Sequence, residues 1–255
     1  MKPAVIVVGP DEIIWGRKVV IQALGSGRAI NKVLIGVERG GSVDKIRALA
    51  RQRKIPVENV HRQRLNGLTR GGVHQGVAAL TAPRPYAQVE DILANAVAKA
   101  EPPLVLVLDQ MEDPRNLGAA ARTAAAAGAH GIVIPKRRAA PVTGVTEKAA
   151  AGALDQIPVA RVTNLRRCLQ DLKTAGLWTV GADMDGDSLY YERDLTGPIA
   201  LVVGGEDRGL GRLLGRECDF IVRIPMKTGV ASLNASVAAS LLLYEVVRQR
   251  GQISR

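Results

Sequence analysis

The fold class follows from residues 104–128, LVLVLDQMEDPRNLGAAARTAAAAG. The opening run LVLVLD, residues 104–109, is apolar up to its last residue, which is typical of a strand buried on both faces of a parallel sheet. Pro114 then marks a turn, and Asn116 is a natural N-cap for a helix. The alanine-rich run over 117–127 predicts that helix, so the whole stretch predicts one strand–turn–helix unit.

The same alternation of strand and helix signals continues on both sides of this unit. Behind it, the pattern predicts strands over residues 131–134, 157–162, 177–181 and 199–203, and a long last helix over 232–250. In front of it, the pattern predicts strands over 4–8, 32–37, 57–60 and 76–81, and helices over 11–25, 43–53 and 89–98. Strands that alternate with helices predict an α/β fold whose parallel sheet is covered on both faces.

A proline-rich interruption divides the 255-residue chain. Residues 82–88, APRPYAQ, break the periodicity. We therefore predict a small α/β domain over 1–82, a linker over 83–103 and a larger α/β domain over 104–255. The first domain carries 14 basic and 5 acidic side chains, which is +9 of the total formal charge of +11. A basic module joined to a nearly neutral body predicts that the first domain meets a polyanion.

Composition excludes several classes of protein. Hydrophobic residues make up 47% and the mean hydropathy is +0.06, so the chain can build a core, unlike a disordered basic tail. Aromatic residues make up only 3%, which argues against binding of single strands mainly by base stacking. No run approaches the roughly 18 apolar residues of a membrane helix, and the run over 4–8 is too short for a signal peptide. We therefore expect a soluble, cytoplasmic protein without a membrane partner.

The cysteines and histidines give no sign of a metal site. Cys168 and Cys218 match neither a disulfide framework nor a metal-ligand spacing, which predicts two reduced thiols and no bound metal. We assign no catalytic role to His61, His74 or His130. The last of these follows a predicted helix end and is expected to be exposed to solvent.

Two adjacent glycines follow the strand predicted over 199–203. In LVVGGEDRGL, residues 201–210, Gly204 and Gly205 leave room for a ligand to approach the backbone, and Glu206 adds a carboxylate. The spacing GGxxxG differs from the GxGxxG of dinucleotide-binding folds, so the signal for that cofactor class is weak.

A third segment, RIPMKTGVASLNAS over residues 223–236, leads from a strand signal into the start of the last predicted helix. It brings Ser232, Asn234 and Ser236 to that start, which is more polar side chains than a cap requires. Taken singly, each of the three segments is also compatible with an ordinary capped turn. Their combination is far more specific.

The combined pattern resembles the SpoU (TrmH) family of RNA 2′-O-ribose methyltransferases in the SPOUT superfamily. The motifs that carry the resemblance are Asp113-Pro114-Arg115-Asn116, Gly204-Gly205-Glu206, Ile224-Pro225-Met226 and Ser232-Leu233-Asn234. The first third is similar to the RNA substrate-binding domain of the family, on Gly16 and on the segment GVHQGV over 72–77. The whole pattern is most similar to the bacterial subgroup that methylates a guanosine of 23S ribosomal RNA.

The resemblance implies a fold, a cofactor and an assembly. It implies a ribosomal-protein-like α/β domain for substrate binding, followed by a parallel α/β domain whose C-terminal segment is threaded into a trefoil knot. It implies a homodimer that uses S-adenosylmethionine and leaves S-adenosylhomocysteine, without a metal. The residues expected to bind this cofactor are Val203, Gly204, Gly205, Ile224, Met226, Ser232 and Leu233.

The resemblance also implies catalytic residues, with Arg122 at their centre. A guanidinium stays protonated in proteins, so we expect Arg122 to clamp a phosphate and stabilise the developing alkoxide rather than to accept the proton. The residues expected to hold the arginine, the ribose and the cofactor loops are Asn116, Glu206, Ser232 and Asn234.

The resemblance leaves the exact substrate open. The expected partner is 23S ribosomal RNA, either naked or in an assembling large-subunit particle. A transfer RNA ribose methyltransferase is an alternative, although that form usually has short helical extensions in place of a full substrate-binding domain. A resistance-conferring ribosomal RNA methyltransferase shares the two-domain layout. A non-catalytic RNA-binding or assembly factor is the more remote alternative.

Overall fold

The protein is described here by a computed structural model that covers residues 13–36, 40–205, 209–227 and 232–253. It divides into two compact units. The first comprises the chain up to Pro85 together with Pro141–Asp155, and the second comprises Tyr86–Ala140 and Gln156–Arg255. This division differs from the predicted domains, which place residues 141–155 in the last domain.

The first unit is built on a four-stranded sheet. Its strands are β1 (Ile13–Trp15), β2 (Ile30–Ile35), β3 (Val57–Asn59) and β4 (Val77–Thr81), in the order β1-β4-β2-β3. Its first helices are α1 (Arg17–Gly25), α2 (Gly41–Gln52) and α3 (Arg62–Leu68). Strand β4 runs antiparallel to β1 and β2, whereas β2 and β3 are parallel. The inward faces of α1 and α2 bury Val20, Ile46 and their neighbours in one core with this sheet.

The second unit is built on a seven-stranded sheet in which every neighbouring pair is parallel. The strands are β5 (Leu104–Leu108), β6 (Gly131–Pro135), β7 (Val159–Val162), β8 (Trp178–Ala182), β9 (Ser188–Leu189), β10 (Ile199–Val203) and β11 (Phe220–Arg223). Their order is β7-β6-β5-β10-β8-β11-β9. The helices are α4 (Val89–Ala98), α5 (Pro114–Ala126), α7 (Leu165–Thr174), α8 (Arg212–Gly215) and α9 (Ala235–Ile253). The predicted parallel α/β fold class is confirmed.

The strand β5 is buried at every position, as its continuous apolar run predicted. Residues 83–103, predicted as a linker, contain α4, whose Ile92 and Ala96 are fully buried. Ile92 packs in the same core as Val105 of β5, so this helix covers the sheet of the second unit. No helix in the described part of the chain is both long and apolar enough to cross a membrane.

The predicted helix over 11–25 is wrong over residues 13–16. Residues Ile13–Trp15 form strand β1, and the helix begins only at Arg17. Gly16 separates the two elements with φ 98°, a value that L side chains rarely adopt. The strand predicted over 4–8 lies outside the described residues.

Two single-residue predictions are also wrong. Asn116 is not the N-cap of α5, because Asp113 takes that place and accepts a hydrogen bond from the backbone N–H of Arg115 (2.7 Å). His130 is fully buried rather than exposed. Its Nδ1 accepts a hydrogen bond from the backbone N–H of Leu104 (3.1 Å), and burial lowers the pKa of its ring.

The segment 141–155 returns to the first unit as α6 (Gly144–Ala150) and a turn of 3-10 helix (Ala153–Asp155). A side chain on Gly144 would overlap the carbonyl oxygen of Ile13 and the ring of Trp15, so α6 approaches β1 as closely as backbone allows. Buried Glu147 accepts hydrogen bonds from Arg28 Nη1 (2.8 Å) and Arg84 Nε (2.9 Å). These contacts fasten α6 to the first unit.

Substitution of Gly144 tests this packing. We expect Gly144→Ala to lower the free energy of unfolding by about 2–3 kcal/mol, because overpacking in a core costs about 1–3 kcal/mol and backbone cannot rotate away. The measurement is the urea midpoint of the full chain. Gly25→Ala is the control, since no atom lies within 4 Å of its added methyl group and its φ is ordinary. Equal midpoints for the two variants would contradict the packing described for α6.

Candidate functional site

The candidate site lies at the carboxyl ends of the central strands of the second unit. The chain builds the sheet outward from β5 to β7, and β10 later inserts on the other side of β5, next to β8. The loops after β5 and β10 therefore leave the sheet at the point where its strand order changes direction. Ligands of open α/β sheets bind in the crevice at such a point.

A tight backbone turn follows β10. A side chain on Gly204 would overlap the carbonyl group of Gly209 and would stand 2.5 Å from the nitrogen of Leu210. The Gly209 N–H also donates a hydrogen bond to the carbonyl of Gly205 (3.0 Å). Glycine is therefore required at residue 204, because only its backbone leaves room for the returning chain.

A cavity of about 960 Å³ opens beside this turn. Four segments line most of it, namely 182–187, 203–205, 209–212 and 224–226, and the start of α9 closes it. All seven residues predicted to bind the cofactor lie in its wall: Val203, Gly204, Gly205, Ile224, Met226, Ser232 and Leu233. Their role in binding stays a prediction.

Asp183 is a cavity residue that the sequence reasoning missed. Its Oδ2 accepts a hydrogen bond from the backbone N–H of Leu210 (3.2 Å), and its Oδ1 accepts one from that of Asp185 (3.1 Å). The carboxylate therefore ties the loop after β8 to the turn after β10. A signal was present, because three aspartates, at 183, 185 and 187, directly follow a predicted strand.

Asn234 joins the starts of two helices. Its Oδ1 caps α9 by accepting hydrogen bonds from Ser236 N (3.0 Å) and Ser236 Oγ (2.6 Å). Its Nδ2 donates to Asn116 Oδ1 (3.2 Å) in the first turn of α5. About two turns further along both helices, Ser240 Oγ of α9 donates a hydrogen bond to Thr123 Oγ1 of α5 (3.1 Å). Two of the predicted catalytic residues, Asn116 and Asn234, are thus in direct contact.

Arg122 lies on another side of α5. It is seven residues after Arg115, so the two arginines share a helix face, and both are exposed. Within the part of the chain that the structure describes, Arg122 makes no hydrogen bond or ion pair. Ser232 is exposed at the cavity wall, whereas Glu206 lies outside the described residues.

The thiols and titratable clusters do not add a second reactive centre. Burial raises the pKa of Cys168 to about 11 and that of Cys218 to about 12, so both stay protonated at neutral pH. Among the described residues, no three His, Cys, Asp or Glu side chains are grouped so that they could hold a metal ion.

Family models match both parts of the chain. The model of the SpoU rRNA Methylase family matches residues 103–244. A model described as RNA 2′-O ribose methyltransferase substrate binding matches residues 13–87. A Bacillus subtilis protein, named for the TrmH family of tRNA/rRNA methyltransferases, is 44% identical over 243 residues, which are 95% of this chain and 97% of that protein.

Solved structures of similar fold contain S-adenosylmethionine. The SpoU methyltransferase AviRb of Streptomyces viridochromogenes, in complex with this cofactor, superposes with a TM-score of 0.79 at 28% identity, covering 94% of this chain and 90% of AviRb. An rRNA methyltransferase of Sinorhizobium meliloti with bound S-adenosylmethionine superposes with a TM-score of 0.76 at 30% identity. The match covers 92% of this chain and 86% of that one. A TrmH/SpoU tRNA-modifying enzyme of A. aeolicus superposes with a TM-score of 0.55 at 28% identity, covering 60% of this chain and 78% of that one.

Replacement of Asp183 tests its contribution to the cavity. The two carboxylate oxygens of Asp183 each accept a hydrogen bond from a backbone N–H. Asp183→Asn replaces one of these oxygens with an amide N–H₂ group, which cannot accept that bond. We expect the Kd for S-adenosylmethionine to rise about tenfold, since a hydrogen bond to a charged group contributes about 1.5–3 kcal/mol. Isothermal titration calorimetry measures the change. Asp171→Asn, an exposed carboxylate on α7, is the matched control and should leave the Kd unchanged; equal affinities for both variants would contradict the role of Asp183.

Proposed function

Because this chain belongs to the SpoU family of RNA methyltransferases, which use S-adenosylmethionine, we propose that it methylates the 2′-OH of a guanosine ribose in 23S ribosomal RNA. The observation that carries the proposal is one cavity whose wall brings together residues of three of the four motifs, those at 204–205, 224–226 and 232–233. The resemblance to the family, the enzyme class and the cofactor class are confirmed.

The residues of the cavity fit S-adenosylmethionine. A volume of about 960 Å³ lies in the range of sites for small molecules. The cradle beside Gly204 exposes backbone groups, and Asp183, Asp185 and Asp187 offer negative charge to a cationic ligand. When bound, the cofactor supplies a methyl group on a positively charged sulfur. We propose that Gly204, Ile224 and Leu233 hold it largely through their backbone, with Val203, Gly205, Met226 and Ser232 around them.

Arg122 is proposed to act on the RNA rather than on the cofactor. The 2′-oxygen must lose its proton as it gains the methyl group, so negative charge develops on that oxygen. The guanidinium of Arg122 is exposed and has no ion-pair partner among the described residues. It suits both the neighbouring phosphate and this charge, since it offers several N–H donors and stays protonated. Asn116 and Asn234 are proposed to position α5 beside the cavity, and Ser232 and Glu206 to support the ribose and the cofactor loops.

The length of the chain favours ribosomal over transfer RNA. The neighbours that cover more than nine tenths of this chain include an rRNA methyltransferase, whereas the tRNA-modifying enzyme covers only 60%. We infer that the part not covered includes the basic first domain, since residues 104–255 make up about 60% of the chain. We therefore place transfer RNA second, and we place the protein in the cytoplasm, where either RNA is modified.

The proposed assembly is a homodimer. Four apolar side chains on α9 remain exposed at helical spacing: Val237, Leu241, Tyr244 and Val247. A stripe of this kind marks a protein contact, and it lies on the helix that packs against α5. Because Arg122 does not line the cavity of its own chain, we propose that a second copy completes the site. The trefoil knot stays a prediction, since residues 206–208 and 228–231 lie outside the described part.

Comparison of cells with and without this gene tests the substrate. We expect one 2′-O-methyl guanosine to disappear from 23S ribosomal RNA when methylated sites are mapped, while transfer RNA keeps all of its sites. The loss of a transfer RNA site instead would overturn the proposed substrate but not the enzyme class.

Substitution of Arg122 tests the proposed catalysis. We expect Arg122→Ala to lower kcat for methyl transfer about 100-fold or more, the effect of removing one donor to a developing oxyanion. The Kd for S-adenosylmethionine should not change, because Arg122 is outside the cavity wall. Transfer of labelled methyl groups to deproteinised ribosomal RNA gives the rate. Arg167→Ala, at an exposed arginine on α7, serves as control, and a normal kcat in Arg122→Ala would refute the role.

A charge placed in the α9 stripe tests the homodimer. We expect Leu241→Lys to convert a dimer into monomers in analytical ultracentrifugation, because a buried unpaired ammonium is costly. Val97→Lys is the matched control, since Val97 is an exposed apolar residue on α4, at 78% exposure. A monomeric wild type, or a dimer that survives Leu241→Lys, contradicts this interface.

A further inference from the structure

One edge of the four-stranded sheet collects basic side chains. Register places the carboxyl ends of β1, β2 and β3 at the same edge as the amino end of β4, since Trp15 pairs with Ala78 and Ile35 pairs with both Val77 and Asn59. The helix α3 and the turn that leads into β4, residues 69–76, therefore lie at this edge. The segment HRQRLNGLTRGGVHQ, over 61–75, contains no acidic residue.

The turn over residues 69–76 has a fixed shape. Buried His74 accepts a hydrogen bond from Gly76 N–H on Nδ1 (3.0 Å) and shares one with Asn66 Oδ1 on Nε2 (2.8 Å). The hydroxyl of Thr69 donates to the carbonyl of Leu65 (2.8 Å). Left-handed backbone at Arg70, Gly71, Gln75 and Gly76 is held in place by these bonds. Backbone of this kind persists where surrounding contacts over-determine it, often at functional sites.

The segment 141–155 supplies a further cation to this edge. Glu147 of α6 is buried between Arg28 and Arg84, so the orientation of the helix is fixed. The next residue, Lys148, is exposed, and its Nζ donates to the carbonyl of Val73 at the tip of the turn (2.8 Å). Burial, and then the charges of Arg62 and Lys148, lower the pKa of His74.

Three of these cations are available to a ligand. Arg62, Arg70 and Lys148 are exposed, and none forms an ion pair with any residue in the described ranges. Val73, 69% exposed, stands among them. Exposed cations around a rigid turn, with one apolar contact, match a sugar–phosphate backbone, which presents regularly spaced negative charges.

We propose that the turn over 69–76, with Arg62 of α3 and Lys148 of α6, forms the surface that binds the phosphate backbone of the substrate RNA. The inference rests on the proposed function. Its new element is that α6, which lies in the methylase part of the sequence, belongs to the RNA-binding surface of the first unit. The contacts contributed by Lys148 set affinity and register rather than base identity.

Salt-dependent RNA binding tests this surface with matched variants. Lys148→Gln and Lys54→Gln remove the same charge from the same unit, but Lys54 precedes the amino end of β3, at the opposite edge of the sheet. We expect Lys148→Gln to weaken binding of deproteinised ribosomal RNA about three- to tenfold at low salt and to reduce the slope of log K against log [salt] by about 0.7–0.9. Lys54→Gln should change neither. The double variant Arg62→Gln/Arg70→Gln should lose about 1.4–1.8 units of slope, twice the effect of one charge.

The same variants separate this inference from the proposed function. Methyl transfer by Lys148→Gln should show a raised KM for RNA, an unchanged kcat and an unchanged Kd for S-adenosylmethionine. If Lys148→Gln and Lys54→Gln bind RNA equally well, the surface is refuted, whatever the wild type methylates. If the wild type methylates no ribosomal RNA but the variants still differ in RNA affinity, the proposed substrate fails and the surface stands.

Discussion

The cavity depends on one close approach between two stretches of backbone. The carbonyl group of Gly209 occupies the space that any side chain on Gly204 would take. This contact folds the chain back over the carboxyl end of β10, and Asp183 then holds the returning turn through Leu210 N–H. At this turn the cavity is therefore bordered by glycine backbone, which a ligand can approach without meeting a side chain.

The helices beside the cavity are joined by small and polar side chains. Alanine and glycine on the buried face of α5 allow α9 to pack closely against it. The side-chain oxygen of Asn234 accepts a hydrogen bond from the backbone N–H of Ser236 at the start of α9, and its amide nitrogen donates one to Asn116 on α5. One side chain thus caps a helix and sets the position of another, which explains why this start carries more polar residues than capping alone requires.

The predictions failed where tertiary contacts outweighed a local pattern. Residues 13–15 fit a helical spacing, but their pairing with β4 makes them a strand. Asn116 is a good cap by type, yet Asp113 followed by Pro114 is a better helix start. His130 follows a helix end, where exposure is usual, but its ring bonds to the strand β5 and is buried. For residues 13–15 and for His130, the deciding contact is with a residue far away in the sequence. For Asn116, a neighbouring residue, Asp113, takes the capping position instead.

The sequence by itself determined the parallel α/β class, because buried strands and helix starts leave local patterns. Its motifs also pointed to the family, and the resemblance to that family named seven residues that lie in the cavity wall. Only the tertiary structure decided that Asp183 ties two loops together and that 141–155 packs with the first unit. Lys148 and Val73 are 75 residues apart. No local pattern records such a contact, because it arises from the way Gly144 and Glu147 pack against residues at the start of the chain.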